Sequence, residues 1–134
     1  MRLIIAAVAM AFTLQAASAA DCRGSEDILA VTDWSAKQDE LGLGLTIFLT
    51  VKNNSEASYL LIDGTTEFID VLGSKIGRWE LPRDVNLTPG KQSILEFSTF
   101  MSGARLLKAS KQNVVATVCI NAAITDTGAK VEFP

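Results

Sequence analysis

Leu45-Thr46-Ile47-Phe48-Leu49-Thr50-Val51-Lys52 runs into Asn53-Asn54-Ser55, and the chain then resumes as Tyr59–Ile62 and Thr66–Leu72 before stopping at Gly73. Leu45, Ile47, Leu49 and Val51 alternate with Thr46, Phe48, Thr50 and Lys52, the period of two expected of a strand with one buried face. Asn53-Asn54-Ser55 supplies residues that tolerate left-handed or Asx-turn geometry. The stretch Leu45–Leu72 therefore reads as a hairpin, two antiparallel strands joined by a tight polar turn. Gly64 inside the second arm marks a bulge or bend, because glycine weakens a regular strand.

Working outward, the segment before the hairpin gives a strand at Ile28–Trp34 and a charged, glycine-containing loop at Ser35–Gly44. After it, Leu72-Gly73-Ser74-Lys75 is a turn. Ile76–Leu81 is a short strand ended by Pro82, which cannot donate to a ladder. Leu87-Thr88-Pro89-Gly90 is a second turn. Gln92–Phe100 follows as a strand with Leu95 and Phe97 on one face and Ile94 and Glu96 on the other. Ser102–Lys111 permits one or two helical turns and is too short and basic for a core helix. Val114–Ile124 is a long Val/Ile-rich run, which reads as a strand buried on both faces. Its second face, Val114, Ala116, Val118 and Ile120, is the more apolar and is expected inward, leaving Cys119 on the outer face. Asp126-Thr127-Gly128 turns the chain into a last strand, Lys130–Phe133. About seven strands with turn signals every 8–12 residues and no βαβ alternation predict an immunoglobulin- or fibronectin-III-like antiparallel β-sandwich.

The first 20 residues read as a secretory signal peptide. Arg2 is the positive n-region, Leu3–Leu14 the apolar core and Ala17-Ser18-Ala19-Ala20 the cleavage site, cut after Ala19 or Ala20. Asp21 directly before Cys22 breaks the small-residue pattern of a lipidation site. Residues 21–134 then form a single domain. Of the 12 basic and 15 acidic residues only Arg2 is removed with the signal, so the mature chain is mildly acidic. That balance argues against nucleic acid and against attraction to an anionic membrane surface. No second apolar stretch is long enough to span a bilayer.

Two cysteines remain, Cys22 and Cys119. In an exported chain they read as one structural disulfide that ties the N-terminal lead-in to the Val114–Ile124 strand. A redox pair would need CxxC spacing.

At Val51-Lys52-Asn53-Asn54-Ser55, Phe68-Ile69-Asp70-Val71-Leu72-Gly73-Ser74-Lys75 and Leu87-Thr88-Pro89-Gly90, with Phe97 closing the following strand, the chain resembles the FxLYD-type domains. These belong to the late-embryogenesis-abundant-like, fibronectin-III-like sandwiches of bacterial exported proteins. The resemblance covers Leu45–Phe100. It implies a sandwich that serves as an extracytoplasmic interaction or structural module, and it brings no catalytic residues.

The chain contains no histidine. Ser-His-Asp and Cys-His catalysis are thereby excluded, and copper ligation has only Met101 in the mature chain. Asp126-Thr127-Gly128 is too sparse for a calcium loop. Leu41-Gly42-Leu43-Gly44 lacks the Lys-Ser/Thr partner of a phosphate loop. Asp63 and Glu67 share a strand face that Asp70 does not, and all three read as solvated acids. No enzyme and no cofactor is expected. Asn53-Asn54-Ser55 and Asn86-Leu87-Thr88 match a glycosylation sequon.

Binding is what remains. Trp79 with Arg78 beside it is one candidate partner-binding pair, the alternative being that the tryptophans pack in the core. The loop charges Lys37, Asp39 and Glu40 are the other. Lys75, Arg78, Arg83, Arg105, Lys108 and Lys111 are candidates for a converging basic patch. The expectation is a non-catalytic, periplasmic or extracellular accessory module whose partner is another envelope protein. The alternative is a small inhibitor or ligand-binding protein that acts through Ser35–Gly44 or Ser102–Lys111.

Overall fold

The computed structural model describes residues 22–100 and 103–134, so the expected signal peptide and cleavage site lie outside the described residues. Eight strands form two antiparallel sheets. They are β1 (Leu29–Gln38), β2 (Gly44–Asn53), β3 (Tyr59–Asp70), β4 (Lys75–Glu80), β5 (Asp84–Leu87), β6 (Gln92–Phe100), β7 (Val114–Thr125) and β8 (Lys130–Glu132). One sheet has the order β1-β2-β6. The other has β4-β3-β7-β8, with β5 also paired to β3. The expected antiparallel sandwich with one disulfide is what the chain forms.

The hairpin reading of Leu45–Leu72 is corrected. β2 pairs with β1 and β6, and β3 pairs with β4, β5 and β7, so the two strands lie in opposite sheets. Asn53–Ser58 is an arch that carries the chain across the core. Asn53 is fully buried and holds this crossing. Its Nδ2 donates to the carbonyls of Ala57 (2.8 Å) and Leu87 (3.2 Å). Its Oδ1 accepts from the Ser55 amide (2.9 Å) and hydroxyl (2.7 Å). Its carbonyl accepts from Gly90 N–H (2.8 Å), which clasps the Leu87–Gly90 turn to the arch. Such burial also leaves Asn53 inaccessible to glycosylation.

Between the sheets, Leu45, Ile47, Leu49 and Val51 face Ile62, Phe68, Val118 and Ile120, all essentially buried. An aromatic chain spans the core: Trp34 meets Phe68 edge-on (5.5 Å between centroids), Phe68 meets Trp79 (5.7 Å), and Trp79 meets Phe97 (6.4 Å). The two edge-on pairs, Trp34–Phe68 and Phe68–Trp79, add about 0.5–1.5 kcal/mol each beyond their area burial.

β1 runs four residues past Trp34, shortening the expected loop. β5 was not foreseen. It continues the β4 edge after an interruption at Leu81–Arg83, where Pro82 stands, and the ladder is maintained there by Leu81 N–H to Gly64 O (3.0 Å) and Ile62 N–H to Arg83 O (2.9 Å). Gly64 does sit at a bulge. It faces Ile120 while Asp63 faces Ala122, so Asn121 is the extra residue on β7. A Cβ on Gly64 would lie 2.6 Å from the Cys119 carbonyl oxygen, which reserves the position for glycine. The bulge limits the inward set of β7. Val114, Val118 and Ile120 are buried as expected, but beyond Asn121 the parity flips and Ala123 is the buried residue. The run is not buried on both faces either, since Val115 is exposed.

Cys119 lies on the outer face of β7, under the lead-in. Cys22 bonds to it with Cα atoms 5.6 Å apart, and Ser25 exchanges two backbone hydrogen bonds with Ile120 (2.9 Å each). Among the described residues no helix is long and apolar enough to cross a membrane.

Candidate functional site

Strand direction brings several turns to one end of the sandwich. β1 finishes and β2 starts there, since Gln38 pairs with Leu45. β6 finishes there, with Phe100 opposite Gly44. In the other sheet β3 ends and β7 begins at this end, with Asp70 opposite Val114. The arch, the Pro89-Gly90 turn and the β7–β8 turn lie at the far end.

Two turns at this end are built alike, each around an aspartate. In the β1–β2 turn, Asp39 Oδ1 accepts from Leu43 N–H (2.9 Å), and Asp39 exchanges backbone bonds with Gly44 (3.0 Å) and Gly42 (3.1 Å). In the β3–β4 turn, Asp70 Oδ1 accepts from Leu72 N–H and Ser74 N–H (2.9 Å each), and its carbonyl accepts from Gly73 N–H (2.9 Å). Gly42 and Gly73 adopt positive φ (69° and 87°), the conformation these tight turns require. The polar residues are turned onto the backbone and the leucines outward. Leu41 is 81 % exposed, Leu43 68 % and Leu72 92 %, and Phe100 at the end of β6 is 85 % exposed.

The 103–113 connection closes the gap between the sheets at this end. A four-residue helix, α1 (Arg105–Lys108), buries Leu106, and Gly103 packs against Trp79 and Leu45. Arg105 holds Asp70 at 2.7 Å, and Lys111 holds Asp33 at 2.8 Å. The Ser74 amide and then the Arg105 guanidinium hold the Asp70 carboxyl below the ordinary carboxylate range. The Lys111 ammonium and the Trp34 amide do the same for Asp33. Both side chains therefore stay ionised into acid conditions.

The residues singled out from sequence separate. Trp79 and Arg78 are neighbours on β4 with opposite orientations: Trp79 packs inward on Phe68 and Phe97. Arg78 faces outward opposite Glu67, beside Cys22 and Cys119. The six basic residues do not form one patch. Lys75 lies 3.6 Å from Glu67, Arg105 and Lys111 are paired as above, and Arg83 lies toward the opposite end. Lys37, Asp39 and Glu40 do lie at the apolar end, and so does the 103–113 connection, so the two suspected loops share one end. Asp39 is committed to its turn. Sequence reasoning missed Leu41, Leu43, Leu72 and Phe100. Two leucines set between glycines in a turn, Leu41-Gly42-Leu43-Gly44, were the available signal.

An open groove of about 690 Å³ lies on the β3-β7-β8 side toward the arch, lined by Leu61, Asp63, Arg83, Ile124, Lys130 and Phe133 among others. Its lining carries both signs of charge, Asp63 and Glu132 against Arg83 and Lys130, and Lys130 is paired with Glu132 at 3.0 Å. Among the described residues no cluster of three or more metal-ligating side chains occurs. No family model matches the chain, and no curated protein matches it either.

Proposed function

We propose that this chain is a non-catalytic, exported interaction module of the cell envelope that works through the apolar end of its sandwich. The observation that carries the reading is the concentration of Leu41, Leu43, Leu72 and Phe100 on separate segments at one end, each largely exposed. A solvated turn has no use for such residues, and clustered exposed apolar side chains mark sites of association. The resemblance to FxLYD-type exported modules agrees with this reading, as does a disulfide, which persists in oxidising compartments. The Arg105–Asp70 pair ties the β3–β4 turn to the 103–113 connection, which lowers the ordering cost at binding.

The test is fractionation of the oxidised mature domain with envelope extract. The wild-type chain should associate with envelope material. Leu41→Ser/Leu72→Ser should lose most of that association, about tenfold or more, with unchanged circular dichroism. Equal association of the two proteins would sink the proposal.

A second reading, the small inhibitor, rests on the projection of the β1–β2 turn, with Lys37 and Glu40 exposed beside Leu41. In that case Lys37→Ala/Glu40→Ala would abolish association as effectively as the leucine changes, and the material recovered would be one hydrolase.

A further inference from the structure

Resting on that reading of the apolar end, we infer that its occupant is a lipid surface: the two aspartate-built turns and the end of β6 insert side chains shallowly into the interface of a bilayer. Three features of the end point to lipid over a protein groove.

Shape is the first. Leu41, Leu43, Leu72 and Phe100 are convex knobs, exposed by 81, 68, 92 and 85 %, on separate segments with glycine between or after them. A protein partner must present a matching pocket for each knob. Acyl chains deform around them and need no match.

The second is the state of the backbone. An N–H or C=O carried into hydrocarbon without a partner costs several kcal/mol, so inserted backbone has to be satisfied internally. At the β3–β4 turn every amide from Asp70 to Ser74 is bonded within the protein: Asp70 to Ser74 O (2.9 Å), Val71 to Asn113 O (3.0 Å), Leu72 and Ser74 to Asp70 Oδ1 (2.9 Å each), and Gly73 to Asp70 O (2.9 Å). At the β1–β2 turn the amides of Asp39, Gly42 and Leu43 are bonded in the same manner. The amides that enter the interface with Leu72 are therefore already paired.

Charge is the third. Lys37, Lys75, Arg105, Lys108 and Lys111 stand around the end against Asp33, Asp39, Glu40, Glu67 and Asp70. Cations and acids balance, so the end carries no field to draw it to an anionic surface or repel it from one. The long basic side chains can lie along the interface with their ammonium or guanidinium groups among the headgroups. Glu40, next to Leu41, limits the depth. Binding of this kind depends on apolar area and hardly on salt or on lipid charge.

The experiment is co-sedimentation of the oxidised mature domain with vesicles of phosphatidylcholine, and of phosphatidylcholine with phosphatidylglycerol at about four to one. The inference expects binding to both, within about twofold of each other, and little change between low and high salt. Leu41→Ser/Leu72→Ser should weaken the partition about tenfold or more. Ile94→Ser, which removes another exposed apolar side chain (67 %) from the outer face of β6, should leave it unchanged. Failure of the wild-type chain to sediment with either vesicle overturns the inference, as does equal binding by the tip variant or release at high salt. If vesicles are ignored while the tip variant still loses envelope association, the end binds a protein. The lipid inference then falls and the reading of this end as the working end stands.

Discussion

Replacing Asn53 with alanine is expected to cost about 3–4 kcal/mol, a large part of the 5–15 kcal/mol that holds a domain of this size. The side chain is 0 % exposed and makes four hydrogen bonds, two as donor and two as acceptor. Alanine takes a donor from the Leu87 and Ala57 carbonyls at the point where the chain changes sheets, and of the two only Ala57 still has the Ser55 hydroxyl (3.1 Å). Asn53→Asp keeps the shape but replaces both donors by an acceptor and buries a carboxylate, so it should be no milder. Asn54 is exposed beside it, and Asn54→Ala should stay within about 0.5 kcal/mol. Denaturant midpoints of the three variants check this. A cost under about 1 kcal/mol for Asn53→Ala would mean that water or backbone adjustment replaces the clasp.

Removing the Cys22–Cys119 disulfide has a comparable effect for a different reason. The bond closes a loop with a sequence separation of 97, for which loop-closure entropy gives about 4.7 kcal/mol, and loss of native disulfides from small exported domains costs about 2–5. Cys22→Ser/Cys119→Ser should lower the melting temperature by roughly 10–20 °C at about 4 °C per kcal/mol. The lead-in should be the first part to open, because the Ser25–Ile120 bridge and the close approach of Gly24 to Ile120 then hold it without a covalent tie. Calorimetry of the oxidised and double-serine proteins measures the first effect, and amide exchange over residues 22–28 the second. An unchanged melting temperature contradicts the assignment of the bond as a staple.

The strand pattern carried much of this architecture, and its failures have physical causes. Alternation in β2 and β6 was legible because each strand buries one face. The same alternation is satisfied by a hairpin and by an arch, and Asn53-Asn54-Ser55 suits both. What decides between them is that β2 finds β1 and β6 while β3 finds β7, more than forty residues away. Local sequence does not carry that choice. The parity of Val114–Ile120 put Cys119 outward, under Cys22, but the bulge at Asn121 is an event in the pairing of two strands and is visible only at its Gly64 partner. Trp79 drew attention as a large ring beside an arginine, and period two already implied that the two point to opposite faces. The apolar end was hidden because its residues come from Leu41–Leu43, Leu72 and Phe100, three places that only the topology unites.

The central claim, that this end is where the molecule works, is tested most directly by carbene footprinting of the oxidised mature domain with and without envelope membranes. The account predicts that labelling of Leu41, Leu43, Leu72 and Phe100 falls on association while Leu61 at the opposite groove and Ile94 on the outer face of β6 label as before. Protection of Leu61, Ile124 and Phe133 with the apolar end still open to the reagent would place the working surface at the β3-β7-β8 groove and contradict it.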